Sequence, residues 1–399
     1  MVLGTITQNK QGMRVLFCGT ILQLFLGIIY VWSVFVLPVS EAYHWDVAGV
    51  KLTSSYMLCF FVIGILIGGK MQTKIGTSKV VLIGGLMLAA GMFATSLIPT
   101  SYAFAIYITY GIIGGFGVGA GYNAIISTAQ KWFPKNRGFA TGVSVCAFGF
   151  STVVFAPLIE MLIKQFGLHN TFRILSVGFF VIVVALFRFI QMPDESAAGA
   201  GTSSALPEMK QYTITEALKT KEFYFITLSL MLATAAYFIL NPSFKTFAIE
   251  RGLDPAIGTV IVMITGVANA LGRLGIPLLS DKIGREKSAL AIIVITALCS
   301  LSLVFVQGFL FMVVVAVIAF CYGGYSGVYP VITADYFGIK NVGSNYGAVM
   351  VGFAISALVF PMIISNIQDT TVKFIVLAAL AAVGALLVIL LIRSKKTSK

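Results

Sequence analysis

The sequence predicts an all-α, polytopic membrane protein whose twelve transmembrane helices form two pseudo-symmetric six-helix bundles. Three observations carry that expectation. The chain has 399 residues, of which 58% are hydrophobic and only 10% charged, with a mean hydropathy of +0.98. A soluble protein of this size could not keep so much apolar surface out of water. Apolar runs of about 20 residues, the length needed to cross a bilayer, recur along the chain. Finally, short motifs recur between the two halves at a nearly constant offset.

Taken in order, the spans begin near Met13, Thr53, Val80, Ala103, Gly138, Phe172, Phe223, Ile257, Ser288, Leu310, Ser344 and Val372. They read as helices, because the apolar runs are continuous; barrel strands would alternate. The segment 193–221 is the least hydrophobic long stretch. Its Gly-, Ala- and Ser-rich first part reads as a flexible linker, and Ile214 to Lys221 as a short surface helix. The expected division is therefore residues 1–192 for the first bundle, 193–221 for the linker and 222–399 for the second bundle.

Charge supports an orientation. The formal net charge is +13, but its distribution argues against nucleic acid as a partner. Of the 27 Lys and Arg, Lys51, Lys164, Arg173, Lys245, Arg251 and Lys373 fall on one side of the expected topology. Arg273 lies inside an apolar run, and the rest fall on the side of the two termini. Positive residues favour the cytoplasm, which predicts a multi-pass protein of the cell membrane with both termini cytoplasmic. The first apolar run is long enough to span and lacks a small-residue cleavage site, so no cleaved signal is expected. Cys18, Cys59, Cys146, Cys299 and Cys321 stand singly in apolar runs without metal or redox spacing. His44 and His169 are expected in outer loops. Neither metal nor cofactor is expected.

The repeat is read from three places. "GKMQTKIGTSK" (69–79) follows the second span and "PLLSDKIGREK" (277–287) the eighth, with Thr73 and Gly76 matching Asp281 and Gly284 at an offset of 208. "KWFPKNRGFATG" (131–142) and "DYFGIKNVGSNYG" (335–347) match at an offset near 204, and Tyr30 matches Tyr237 at 207. Duplicated halves suit a carrier that rocks about a site between them. Asp281, Gly284 and Arg285 read as a latch between helix ends. Thr73 replaces the acid in the first copy, so any latch there is weaker.

Arg273 is the leading site residue. An arginine at mid-span costs about 2.5–3.5 kcal/mol on insertion scales and is retained where it faces a cavity or a partner. Thr265, Asn269 and Arg273 lie four residues apart and share a helical face. Direct pairing with Asp281 is not expected, since eight residues span about 12 Å of helix. A guanidinium beside neutral hydrogen-bonding groups can grip a carboxylate with two parallel bonds. Tyr322, Tyr325 and Tyr329 form one stripe in the tenth span. Tyr122 ends a glycine-rich stretch in the fourth, and Tyr30 and Tyr237 are the repeat-related pair. Phenols combine an apolar ring with a hydroxyl donor; packing within and between helices is the competing role for each. Gly111, Gly115 and Gly119 have the spacing of close helix packing.

The loop pattern of 69–79 and 277–287 resembles that of the major facilitator superfamily. "LGIIYVWSVF" (26–35), "GFGVGAGYNAIISTAQKWFPKNRGFATG" (115–142) and "YPVITADYFGIKNVGSNYG" (329–347) resemble its oxalate/formate antiporter family. The resemblance implies a two-bundle transporter of small carboxylates with a substrate-binding arginine in the eighth span, at Arg273. It also implies a lysine seven residues after the tyrosine of an N-Y-G motif in members that handle oxalate. Here the motif is Asn345-Tyr346-Gly347 and the seventh residue on is Phe353. One fixed cation matches one carboxylate, so a small monocarboxylate such as lactate, pyruvate or formate is expected. An oxalate/formate-type dicarboxylate exchanger is the alternative, and a transporter-derived carboxylate sensor the alternative of another class. No enzymatic activity is expected, because no His, Cys or carboxylate cluster lies within the spans. The expected partners are the carboxylate, the lipid bilayer and, as a second candidate solute, protons. The monomer is the expected working unit, and anion exchange is favoured slightly over proton symport.

Overall fold

The computed structural model describes residues 10–193, 210–241, 257–365 and 367–397. Most of the linker expected at 193–221, and the outer residues Lys245 and Arg251, lie outside them. Among the described residues there is no strand. Long helices follow one another as hydrocarbon demands, since each satisfies its own backbone N–H and C=O groups.

The first half of the chain builds α1 (Lys10–Leu26), a 3₁₀ turn (Gly27–Val31), α2 (Trp32–Tyr43), α3 (Val47–Ile75), α4 (Thr77–Thr95), a π-helical stretch (Tyr107–Gly114), α5 (Gly115–Trp132) and α6 (Arg137–Leu186). The second half contains the short α7 (Ile214–Ala217), then α8 (Lys221–Leu240), α9 (Ile257–Ile283), α10 (Arg285–Ser302), α11 (Gly308–Phe337), α12 (Val342–Ser365) and α13 (Thr370–Thr397). Helix α6 is broken at Gly167, whose φ of 76° suits glycine. Its limbs, 137–166 and 168–186, correspond to the expected fifth and sixth spans.

Nine helical segments among the described residues are long and apolar enough to cross a membrane. Helix α10 is outside that set and carries Arg285, Glu286 and Lys287 in its first turn. Large apolar side chains such as Phe17, Leu37, Phe305 and Phe309 face outward. Such a surface suits lipid and would be a liability in water.

Both ends of the described chain lie at one face. The first turns of α1 pack on Trp132 and Ala140. Arg137 pairs with Asp335, and Tyr336, next to Asp335, donates to the Leu391 carbonyl near the end of α13. The two halves meet mainly where the 137–166 limb of α6 packs on α9 and where α3 packs on α12. Both seams depend on missing side chains: Gly149 lies against the Arg273 side chain, and Gly69 against the backbone of Gly343. Gly111, Gly115 and Gly119 face α3 closely, next to Tyr56, Met57 and Phe61 respectively.

The described end of the linker is fastened to the α11–α12 turn. Tyr212 donates its backbone N–H to the Phe337 carbonyl at 3.0 Å. Its own carbonyl accepts from the Asn341 and Asn345 amides, each at 3.0 Å. Gln211 accepts from the Lys340 backbone N–H at 2.9 Å. The surface helix is shorter than expected, Ile214–Ala217 rather than 214–221. A capping box between Thr213 and Glu216 begins it, and the next helix starts at Lys221 with Thr220 as its cap. The Thr213 backbone N–H on its carboxylate holds the Glu216 pKa below the ordinary value.

His169 departs from the sequence reading. It is half-buried within the second limb of α6, with its ring nitrogen 3.1 Å from the Ser96 carbonyl and its ring beside Tyr43.

Candidate substrate site and the contacts that close beneath it

Arg273 is among the largest fully buried side chains of the molecule, 1% exposed. Its Nε donates to Asn269 Oδ1, one turn earlier, at 2.8 Å. Its Nη2 donates to the Tyr30 hydroxyl of the first half at 3.2 Å. The guanidinium carbon stands 5.3 Å from the Tyr30 ring centre and 5.9 Å from that of Phe148, within cation–π range. The described residues give Arg273 no carboxylate partner. Asp281 is engaged elsewhere, as the spacing predicts.

The 3₁₀ turn of residues 27–31 brings Tyr30 to the arginine. Gly27 permits that turn to sit against the Phe148 carbonyl and Ser151 of α6. The Tyr237 ring stacks on Tyr322 with centroids 3.8 Å apart. Asn269 reaches the Tyr237 hydroxyl at 3.5 Å, a long contact. Tyr122 packs on Phe61 and Phe148 and shares the cavity lining with Tyr346. Phe353 is buried beside Tyr322 and Phe238.

The structure therefore gathers Arg273, Asn269, Tyr30, Tyr322, Tyr237, Tyr122 and Phe353 around one region. Tyr325 lines the cavity with its ring alone; its hydroxyl points to Thr296 at 2.6 Å and the Ile292 carbonyl at 3.1 Å. It braces α11 on α10 and offers no donor to a ligand. Tyr329, from the same stripe, is likewise spent on Ser229 at 2.9 Å. A helical stripe wider than the cavity turns some of its hydroxyls into neighbouring helices. Phe61 and Phe148 line the cavity without having been singled out in the sequence, as does Tyr346, read there only as part of the N-Y-G motif. The space open to the centre of a water molecule is about 10 Å³, roughly one water, so the site is closed around its arginine.

Beneath the cavity, toward the chain ends, Asp281 accepts from the backbone N–H of Gly138 at 3.2 Å and of Phe139 at 2.9 Å. It thus caps the positive end of α6, across the seam between halves. Arg285 pairs with Asp281 and reaches Asp335 at 3.5 Å, and Asp335 pairs with Arg137 at the start of α6. These four side chains link the halves through charge-assisted hydrogen bonds, the stronger kind. Gly284 makes no such contact: with φ of 100° it is the turn before α10, as Gly76 with φ of 85° is before α4. Arg137 and Asp335 were not picked out beforehand; both lie in the repeated 131–142 and 335–347 segments, though not at matching positions.

At the repeat-related seam, Thr73 is exposed and bonds the Lys70 carbonyl of its own helix at 2.8 Å. The seam's buried contact is neutral, Asn123 donating to the Gly343 carbonyl at 2.7 Å, with the charged Lys131 on the Lys340 carbonyl at 3.4 Å on the rim.

Among curated proteins, the chain is 27% identical over 344 residues to the uncharacterized MFS-type transporter YhjX of Escherichia coli K12, covering 85% of this chain and 84% of that one. It is 24% identical over 324 residues to the oxalate:formate antiporter of Oxalobacter formigenes, covering 80% and 76%. To monocarboxylate transporter 12 of Xenopus laevis it is 24% identical over 362 residues, covering 85% and 78%. Two solved structures share the fold: the E. coli fucose:proton symporter FucP, with TM-score 0.71 at 15% identity over 95% of this chain and 98% of that one, and the proton:xylose symporter XylE, with TM-score 0.69 at 14% identity over 95% of each. The family profile matches residues 16–361, nearly all of the helical core described above, and the chain is thereby a member of the Major Facilitator Superfamily: a multi-pass secondary transporter, not an enzyme.

Proposed function

We propose that this protein carries small monocarboxylate anions of the lactate, pyruvate or formate type by alternating access, with Arg273 as the carboxylate-binding residue. The observation that carries the reading is the solitary buried guanidinium, whose described hydrogen bonds go to the neutral Asn269 and Tyr30. A buried charge without a counter-charge is costly, and a substrate carboxylate would supply one. Asn269, Tyr30, Tyr322, Tyr237 and Tyr122 would orient it, the phenols acting as donors and the rings as walls. The relatives named as an oxalate:formate antiporter and as monocarboxylate transporters support a carboxylate.

Phe353 favours one carboxylate over two. It is buried at the cavity wall beside Tyr322, where a second carboxylate would find an aromatic ring and no cation. Exchange is favoured over proton symport on the same electrostatics. A loaded Arg273 is neutralised and can pass through a closed state, whereas an empty one crosses with its charge exposed to low dielectric. Asp281, Arg285, Asp335 and Arg137 would hold the halves together at the face of the chain ends and part when that face opens.

The architecture proposed with this function is twelve spans in two bundles, residues 1–192 and 222–399, joined by 193–221. The protein would work as a monomer in the cell membrane with both termini cytoplasmic. Reconstituted protein tests the substrate. Lactate, pyruvate and formate are expected to compete for uptake better than oxalate; tighter saturable binding of oxalate than of every monocarboxylate would overturn the assignment. For coupling, efflux from preloaded vesicles should accelerate strongly when anion is added outside. Robust uptake into empty vesicles driven by a pH gradient, with alkalinisation of the medium, would replace exchange by symport.

A further inference from the structure

We infer that Asn123 is the tether of the α3–α12 seam, a positioning residue that sets how often the face of the chain ends opens. The inference rests on the alternating-access reading. Asn123 lies on α5 next to Tyr122 of the cavity and is almost wholly buried. Its amide nitrogen donates to two carbonyls, Ile65 of α3 at 2.9 Å and Gly343 of α12 at 2.7 Å. The first bond stays within the first half of the chain; the second crosses to the other half.

The surroundings form a fitted socket for the first turn of α12. Gly69 and Gly343 approach backbone to backbone, and a Cβ at Gly343 would come within 2.8 Å of Gln72 Oε1 and 3.5 Å of Ser127 Oγ. Gln72 is itself fixed. Its nitrogen donates to Thr77 at 2.9 Å and Thr128 at 3.1 Å, and its oxygen accepts from Ser127 at 2.8 Å. The charged contributor is Lys131, reaching the Lys340 carbonyl at 3.4 Å on the exposed rim.

Asn123 is built to switch. When the halves part, the bond to Gly343 breaks while that to Ile65 persists, so the side chain keeps its orientation and re-forms the contact without a fresh search of rotamers. Its carbonyl oxygen has no partner among the described residues, so the described contacts orient it by donation alone. One neutral hydrogen bond shifts a two-state population by about two- to tenfold, a useful range for a gate that must open in every cycle. It is also insensitive to salt, whereas charge pairs at the neighbouring seam are screened.

The test uses the full chain in lipid nanodiscs with spin labels at the exposed Lys74 and Lys340, read by pulsed electron–electron distance measurement. Asn123→Ala is expected to raise the long-distance population about two- to tenfold without loss of the folded state. Gly343→Ala, whose added Cβ would press on Gln72 and Gly69, is expected to do the same by a separate route. Raising salt should shift the wild type and Asn123→Ala alike, and should shift Asp281→Asn less. If Asp281→Asn opens the face while folded Asn123→Ala and Gly343→Ala leave the distances unchanged, the tether is refuted and alternating access stands. If no variant, Asp281→Asn included, ever shows a second population, both fall together.

Discussion

Helices α3 and α9 occupy matching places in the two halves, yet they have divided the labour unequally. At the repeat offset of 208, Phe61 stands opposite Asn269, Ile65 opposite Arg273 and Thr73 opposite Asp281. Helix α9 carries the buried cation, its hydrogen-bonding neighbour and the acid that caps α6. Helix α3 carries a ring at the cavity wall, a backbone carbonyl that holds Asn123, and an exposed threonine. The difference teaches that a symmetric frame need not contain symmetric chemistry. A single anion needs one strong electrostatic anchor. A second buried cation on α3 would add desolvation cost without a charge to meet.

That comparison can be broken most severely at Arg273. Arg273→Ala should lower carboxylate uptake at least about thirtyfold in a protein that still folds, because truncating one partner of a buried charge pair costs about 2–5 kcal/mol. Arg273→Lys should remain poor, about tenfold or more below wild type, since a point charge cannot reproduce the planar fork. Uptake assays on purified, reconstituted variants read both; normal transport by folded Arg273→Ala would remove the site from α9 altogether. Next in size is Phe353→Lys, which supplies the missing second cation. It should move the ratio of oxalate to formate competition about tenfold toward oxalate, measured by inhibition of labelled uptake.

Asn269→Ala leaves the charge but frees Nε from its 2.8 Å partner. A rise in KM of about tenfold is expected, the low end of the worth of one hydrogen bond to a charged group, with a much smaller change in turnover at saturation. The smallest effect should come from Thr73→Asp, which restores the acid to α3. Thr73 is exposed and bonded to its own helix, so exchange rates should stay within about twofold of wild type. A large gain or loss there would mean that the two seams are more alike than their contacts indicate.

Much of the frame and the centre of the site were legible beforehand, for reasons tied to local spacing. Asn269 and Arg273 are four residues apart, and the hydrogen bond between them follows from helical geometry. The match of Tyr30 to Tyr237 pointed to a shared region, and the two positive-φ glycines at 76 and 284 repeat as the motif does. What escaped depended on rotation or on distant partners. The hydroxyl of Tyr325 turns to Thr296 because α10 packs on that flank of α11. Phe61 and Phe148 look like ordinary core residues in a sequence already rich in phenylalanine. The Arg137–Asp335 pair is separated by 198 positions, and Asn123 bridges to Gly343 across 220; no local period announces either. The π-helical stretch at Tyr107–Gly114 likewise lies in a run that reads as uniform helix.

The fastening of Tyr212 has a practical corollary. Asn341 and Asn345 clasp its carbonyl from either side of Gly343 in sequence, and Gly343 is the residue that Asn123 holds. A pull on the polypeptide just ahead of residue 210 is therefore delivered to the first turn of α12, far from the solute's path. The junction works as a mechanical lead out of the membrane.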